Sequence, residues 1–248
     1  PTLEMIATFF MVVAGINFAI HFTSWKRASS QPYFQDPELK VYASLLLGFT
    51  ILTTIALYLN GTYGTFAESA RFASFQVVSV MTTTGFSSAE FSLWPGFIPI
   101  MLICIAFIGG CAGSTCGGMK VIRIMLLYRQ ASREIRRLIH PHAVIPVKIG
   151  GRKTSPSVMD AVWGFFFLYV ASFVLITIAL NGVGVDPVTA YAAAAACITN
   201  LGPGLGEVSS NYASLNSTAK VILSFAMLMG RLEIFTLLVL FTPEFWRN

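Results

Sequence analysis

Two five-residue stretches, Thr82-Thr83-Thr84-Gly85-Phe86 and Thr199-Asn200-Leu201-Gly202-Pro203, carry no charge and offer mainly hydroxyl, amide and backbone oxygen. Rings of such oxygens can replace the hydration shell of a monovalent cation. Gly85 and Gly202 permit backbone angles that keep successive carbonyls pointing one way, which a side chain would resist. In a single copy, Thr-x-x-Gly reads more readily as an extracellular turn. Two copies, with Thr82 matching Thr199 and Gly85 matching Gly202, each after a short apolar segment and before a long apolar run, favour a pair of ion-facing loops.

A third stretch, GGCAGSTCGGMK at residues 109–120, interrupts an apolar run with Gly109, Gly110, Gly113, Gly117 and Gly118. Glycines are poor helix formers, and Ser114 and Thr115 can satisfy the backbone groups a break sets free. The expectation is a helix broken within a membrane and a flexible polar gate ending at Lys120; close packing through small residues is the alternative. The spelling is not that of a phosphate-binding loop, because Met119 separates Gly118 from Lys120. Ser114 or Cys116 could serve as nucleophile only with a base in reach, and His21, His140 and His142 all fall toward the inner surface. Cys104, Cys111, Cys116 and Cys197 lack paired spacing and read as buried free thiols. Arg231, midway along the last apolar run, is costly unless it faces a cavity, a partner or an ion path. A positive barrier and an ion pair both fit it, although Glu233, two residues on, points to another face. Glu68, Glu90, Asp186 and Glu207 lie near the two loops, either concentrating cations or simply solvated.

These residues need a membrane frame. The chain is 55% hydrophobic and 11% charged, with a mean hydropathy of +0.72, well outside ordinary soluble composition. Five apolar runs approach the roughly 20 residues a bilayer crossing needs: 5–22, 41–59, the interrupted 97–127, 162–180 and 221–241. The stretches 66–81 and 188–198 are too short to span and read as re-entrant pieces. Nine of the sixteen Lys and Arg fall between Lys120 and Lys153, against the single acid Glu134, which marks that segment as cytoplasmic. The same side then receives Lys26, Arg27 and Arg247. The segment around His140-Pro141-His142 reads as a topology signal and docking surface; neither a metal nor a nucleic-acid site is expected there. The order span, short segment, loop, span occurs twice in one orientation. The chain divides into 1–40, the last helix of a preceding unit with its linker; 41–128, a pore unit with a broken inner helix; 129–159, a basic linker; and 160–248, a second pore unit. Repeats in membrane proteins commonly set the working site at their axis.

With TTTGF and TNLGPGLGEV in the loops, GGCAGSTCGGMK in the third run and MGRLEIF in the last, residues 5–246 resemble the Trk/Ktr/HKT superfamily of potassium transport proteins, nearest to its bacterial TrkH type. The resemblance implies an all-α integral membrane protein of helix, pore helix, filter loop and helix units around a pseudo-fourfold pore. This chain would hold the end of the second unit and the third and fourth, with the N-terminal half outside it. It implies gated potassium uptake across the bacterial inner membrane, with K+ at Thr83, Thr84, Thr199 and Asn200, the 109–120 segment obstructing the pore and Arg231 acting as a barrier below the filter. It further implies a homodimer in membrane lipid above a cytosolic nucleotide-binding ring of the TrkA type, which would bind any ATP or NAD; this chain would carry no cofactor, no enzymatic activity and no nucleic acid. An ion-coupled secondary transporter with discontinuous helices is the alternative.

Overall fold

The computed structural model describes residues 2–141, 143, 145–232, 234–240 and 242–246. His142, Glu233, Phe241 and Arg247, which the sequence reading invoked, lie outside the described residues. The described residues are mostly helical: α1 (Thr2–Ala14), α2 (Phe18–Arg27), α3 (Gln31–Gln35), α4 (Pro37–Leu59), α5 (Phe66–Met81), α6 (Ile98–Ile108), α7 (Val121–Ile139), α8 (Pro156–Gly182), α9 (Pro187–Ile198), α10 (Ser217–Arg231) and α11 (Ile234–Val239). A two-residue hairpin, β1 (Lys148–Ile149) with β2 (Arg152–Lys153), turns the basic linker between α7 and α8.

Two helices, α4 with 23 residues and α8 with 27, are long and apolar enough to cross a membrane unaided. At 1.5 Å per residue they reach about 35 and 40 Å. α5 and α9, with 16 and 12 residues, rise only about 24 and 18 Å and stop inside a hydrocarbon layer of about 30 Å. Each short helix packs against the long one before it, α5 on α4 and α9 on α8, and then against the one after it, α6 and α10. The plan is therefore built twice. In the second unit Ala192, Ala193, Ala194, Ala195 and Ala196 are fully buried, and their small side chains let the neighbouring helices close around α9. Leu47, Ile51 and Ile55 form one exposed stripe along α4, the lipid-facing side that a bilayer rewards and water would not.

Three expected spans depart from straight helices. The run 5–22 was read as one crossing, but it breaks at Gly15–Asn17 and α2 leaves α1 at 91°. Asn17 drives the turn by accepting from the Ala19 amide at 2.8 Å, capping α2. The run 97–127 breaks between α6 and α7, as its glycines suggested. The last run also breaks, so Arg231 closes α10 instead of sitting midway along a continuous helix. A cation is favoured there by the helix dipole.

Candidate functional site

The two Thr/Gly loops begin where α5 and α9 end, and they end in the same way. Thr83 N–H donates to Val80 O at 3.0 Å and Thr84 N–H to Ser79 O at 2.9 Å; Asn200 N–H donates to Cys197 O at 3.1 Å and Leu201 N–H to Ala196 O at 2.8 Å. These are paired Schellman bonds, which place the residue after the cap in the left-handed region. Glycine usually fills that place, yet here it is Thr83 at φ 52° and Asn200 at φ 58°. Thr82 and Thr199 hold the register through hydroxyls that donate to Val78 O at 2.7 Å and Ala195 O at 2.8 Å. Beyond the turn, the carbonyls of Thr82, Thr83, Thr84, Gly85, Thr199, Asn200 and Leu201 accept no hydrogen bond among the described residues. Buried backbone acceptors normally have partners; of these seven residues Thr82, Thr199 and Leu201 are buried and Thr84 is exposed, and their carbonyls can face a cation or water. The Gly202 carbonyl differs, since the Tyr212 hydroxyl donates to it at 2.6 Å. The loops meet: a Cβ on Gly85, at φ +80°, would stand 2.2 Å from Leu201 O.

The 109–120 segment is an irregular loop tied down on three sides. Cys111 N–H donates to Gly15 O at 2.9 Å and Phe18 N–H to Gly113 O at 3.1 Å, so the break in the first run and this break satisfy each other's backbone. Val121 N–H closes the base on Gly110 O at 3.0 Å, the Lys120 ammonium donates to Cys116 O, and the Ser114 hydroxyl donates to Cys111 O at 2.6 Å. The loop packs against both Thr/Gly loops at Gly117. Its amide donates to the Thr83 hydroxyl at 2.7 Å, and a Cβ there would lie 2.0 Å from Thr199 O. Gly109 and Gly118 take positive φ and lie in the folded-back base.

Beneath the loop lies a cavity of about 320 Å³, lined by residues of the loop, by Phe165 and Tyr169 of α8, and by Met229 and Arg231 of α10. The Arg231 guanidinium reaches Thr115 O at 3.5 Å, so the charge faces the cavity and the loop. On the opposite side a second cavity, of about 610 Å³, touches Gly85 and Pro203 of the two loops and includes Glu90. Asp186 is instead spent as the N-cap of α9, accepting from Val188 N–H at 3.1 Å and Thr189 N–H at 3.2 Å. Glu68 and Glu207 are exposed. The four cysteines are free, with Cys104 exposed and the other three buried, a correction to the expectation that all four are inside.

A family model described as TrkH, cation transport protein, matches residues 1–248. The chain belongs to the TrkH family. Among its relatives, the Trk system potassium uptake protein TrkH of Halomonas elongata is 50% identical over 246 residues, covering 99% of this chain and 51% of that protein. The Escherichia coli K12 protein of the same name is 45% identical over 248 residues, with 100% and 51% covered. The crystal structure of the potassium transporter TrkH from Vibrio parahaemolyticus superposes with a TM-score of 0.94 at 43% identity, covering 98% of this chain and 53% of that one. The chain thus spans about half the length of the relatives it matches, and its all-α membrane fold is that of the TrkH transporter.

Within this TrkH fold the structure brings together Thr83, Gly85, Leu201, Thr199 and Gly117, five residues that sequence reading placed in three separate motifs. It adds two that reading missed, Tyr212 and Glu38, and a contact of Asn200 that reading could not foresee. Tyr212 holds a loop carbonyl, and the Asn200 side chain donates to Met227 O on α10 at 3.2 Å. Glu38, only 6% exposed, accepts from Ala112 N–H at 2.7 Å and Ile122 N–H at 3.1 Å. An acid one residue after a proline at a helix start was the available signal for Glu38; it is ordinarily read as a dipole-favoured, solvated residue.

Proposed function

We propose that this chain forms two of the four filter-bearing units of a potassium uptake protein, and that ions pass inward along Thr82–Gly85 and Thr199–Gly202, driven by the membrane potential. The observation that carries this reading is the pair of matching Schellman turns, each followed by carbonyls with no hydrogen-bond partner among the described residues. Carbonyls arranged in this way supply a dehydrated cation with ligands at no side-chain charge cost. Potassium would rest near Thr83, Thr84, Thr199 and Asn200. The C-terminal ends of α5 and α9 point at the same place and add favourable partial negative charge.

Below the filter, the loop from Gly109 to Lys120 acts as the gate. Its support is its position against Thr83 and Thr199 on one side and the Arg231 cavity on the other. The Arg231 charge lowers cation occupancy of that cavity. The relatives are about twice as long, which leaves room for two further units to complete a pseudo-fourfold pore. In this reading the protein is a homodimer of the bacterial inner membrane and is not an enzyme. Its basic linker from Arg129 to Lys153 docks on a cytosolic nucleotide-binding ring of the TrkA type, where any nucleotide binds.

Rubidium uptake into proteoliposomes of the intact gene product, driven by a potassium gradient, tests this function. Uptake should persist in excess external sodium and be electrogenic. Uptake displaced equally by sodium, or strictly dependent on a proton or sodium gradient, would replace the pore with an ion-coupled, alternating-access transporter.

A further inference from the structure

α7 opens without a cap of its own. The residue before it, Lys120, sits at φ 75° and its side chain makes no capping bond, so the first amides of the helix need acceptors from elsewhere. One comes from α4. Oε1 of Glu38 accepts from Ile122 N–H, in the first turn of α7, at 3.1 Å, and from Ala112 N–H, on the far side of the loop, at 2.7 Å. A single oxygen thus bridges ten residues of sequence and pins both arms of the loop to a spanning helix. The carboxylate stands at two helix N-termini, its own and that of α7, and both partial positive charges favour it there. One turn further along α4, Tyr42 donates to Val12 O at 3.2 Å and lies against Gly15, whose carbonyl receives Cys111 N–H. α4 therefore grips the loop directly through Glu38 and indirectly through Tyr42 and the broken first run.

We propose that Glu38 is a positioning residue for the gate: its carboxylate latches the loop from Ala112 to Ile122 across the ion path, and releasing that latch opens the path. The inference rests on the reading of that loop as the gate. What matters is where the oxygen stands. Gln keeps an acceptor at the end of a chain of the same length, whereas Asp keeps the charge one carbon short of both amides.

Rubidium uptake by the intact gene product in proteoliposomes, with no cytosolic partner present, should rise in Glu38→Ala and Glu38→Asp. The expected rise is about five- to a hundredfold, the range spanned by the net contributions of the two hydrogen bonds that Oε1 accepts. Glu38→Gln should recover at least half of the difference. A fourth variant, lacking residues 113–117, tests the gate itself and should also conduct more. If that deletion raises uptake while Glu38→Asp and Glu38→Ala do not, or if Glu38→Gln behaves as Glu38→Ala, the latch is overturned and the gate stands. If the deletion leaves uptake unchanged, the gate reading fails and the latch with it. A merely structural role predicts lower uptake and poorer folding in every variant. Should Glu38→Ala fail to fold, the Asp and Gln pair decides the question alone.

Discussion

Gly85→Ser places two separable costs on the point where the two loops meet. The first is conformational: Gly85 stands at φ +80°, and a side chain there costs about 1–2 kcal/mol. The second is steric, because the new Cβ would lie 2.2 Å from Leu201 O, where real contacts essentially never fall below 3.0 Å. The Leu201 carbonyl or the Gly85 backbone must therefore move by at least 0.8 Å. That displacement exceeds the difference in radius between potassium and sodium, and it acts on a carbonyl that accepts no hydrogen bond among the described residues. If the 1–2 kcal/mol of strain reappears as lost discrimination, preference for potassium over sodium falls by about five- to thirty-fold, at 1.4 kcal/mol per factor of ten. The assay is rubidium uptake titrated with external sodium, comparing the concentration that halves uptake in wild type and variant at equal yield of folded protein. An unchanged sodium titration in a well-folded, conducting Gly85→Ser protein would refute the claim that this carbonyl pair faces the ion.

Removing the charge of Arg231 with Arg231→Ala should raise uptake severalfold without altering the sodium titration, since the guanidinium lies on the cavity side of the loop; unchanged flux in a folded variant would discard it as a barrier. Tyr212→Phe removes the 2.6 Å bond to Gly202 O, a net loss of about 0.5–1.5 kcal/mol. The freed carbonyl should show as a two- to tenfold weaker potassium preference in that same titration. Thr83→Val keeps the shape of the side chain and its branched Cβ, so the backbone cost cancels and only the acceptor for Gly117 N–H disappears. An amide left without a partner costs about 1–3 kcal/mol, which should favour displacement of the loop and raise uptake. Equal uptake in Thr83→Val and wild type would mean that the filter does not hold the gate.

What the sequence disclosed follows from what leaves a one-dimensional trace. The lengths of the runs at 41–59 and 162–180, the shortness of 66–81 and 188–198 and the glycines of 109–118 all record local demands, and each appears as α4, α8, α5, α9 and a break. The bend at Gly15–Asn17 left no such trace. One glycine in an apolar run is compatible with a helix, and the turn is stabilised by amides of Cys111 and Thr115, nearly a hundred residues away. Glu38 and Tyr212 were hidden for the same reason: their partners are backbone groups on other elements, and no spacing rule points to them. The residue types forming the two Thr/Gly loops were legible, but which carbonyls have no partner among the described residues was not, because that depends on the turn each helix makes as it ends.

In the proposed reading, that turn would link selectivity to gating in both units. A left-handed Thr or Asn where glycine would be easier is a strained choice, and for a β-branched Thr a marked one. Gly at either place would relieve the backbone but would remove a side chain that reaches the span that follows. Thr83 offers its hydroxyl to Gly117, in the break between α6 and α7; Asn200 donates its amide to Met227 O of α10. In each unit the residue that sets the direction of the loop carbonyls is thus also the one fastened to the segment that follows, Thr83 to Gly117 and Asn200 to α10. The second connection ends on a regular helix one turn before Arg231, whereas the first ends on an irregular loop held by a few hydrogen bonds of its own and by others from neighbouring elements. In the proposed reading, motion of that loop breaks a hydrogen bond to the first loop and only a packing contact with the second, so the ion preference set by Thr82–Gly85 should change the more as the gate moves.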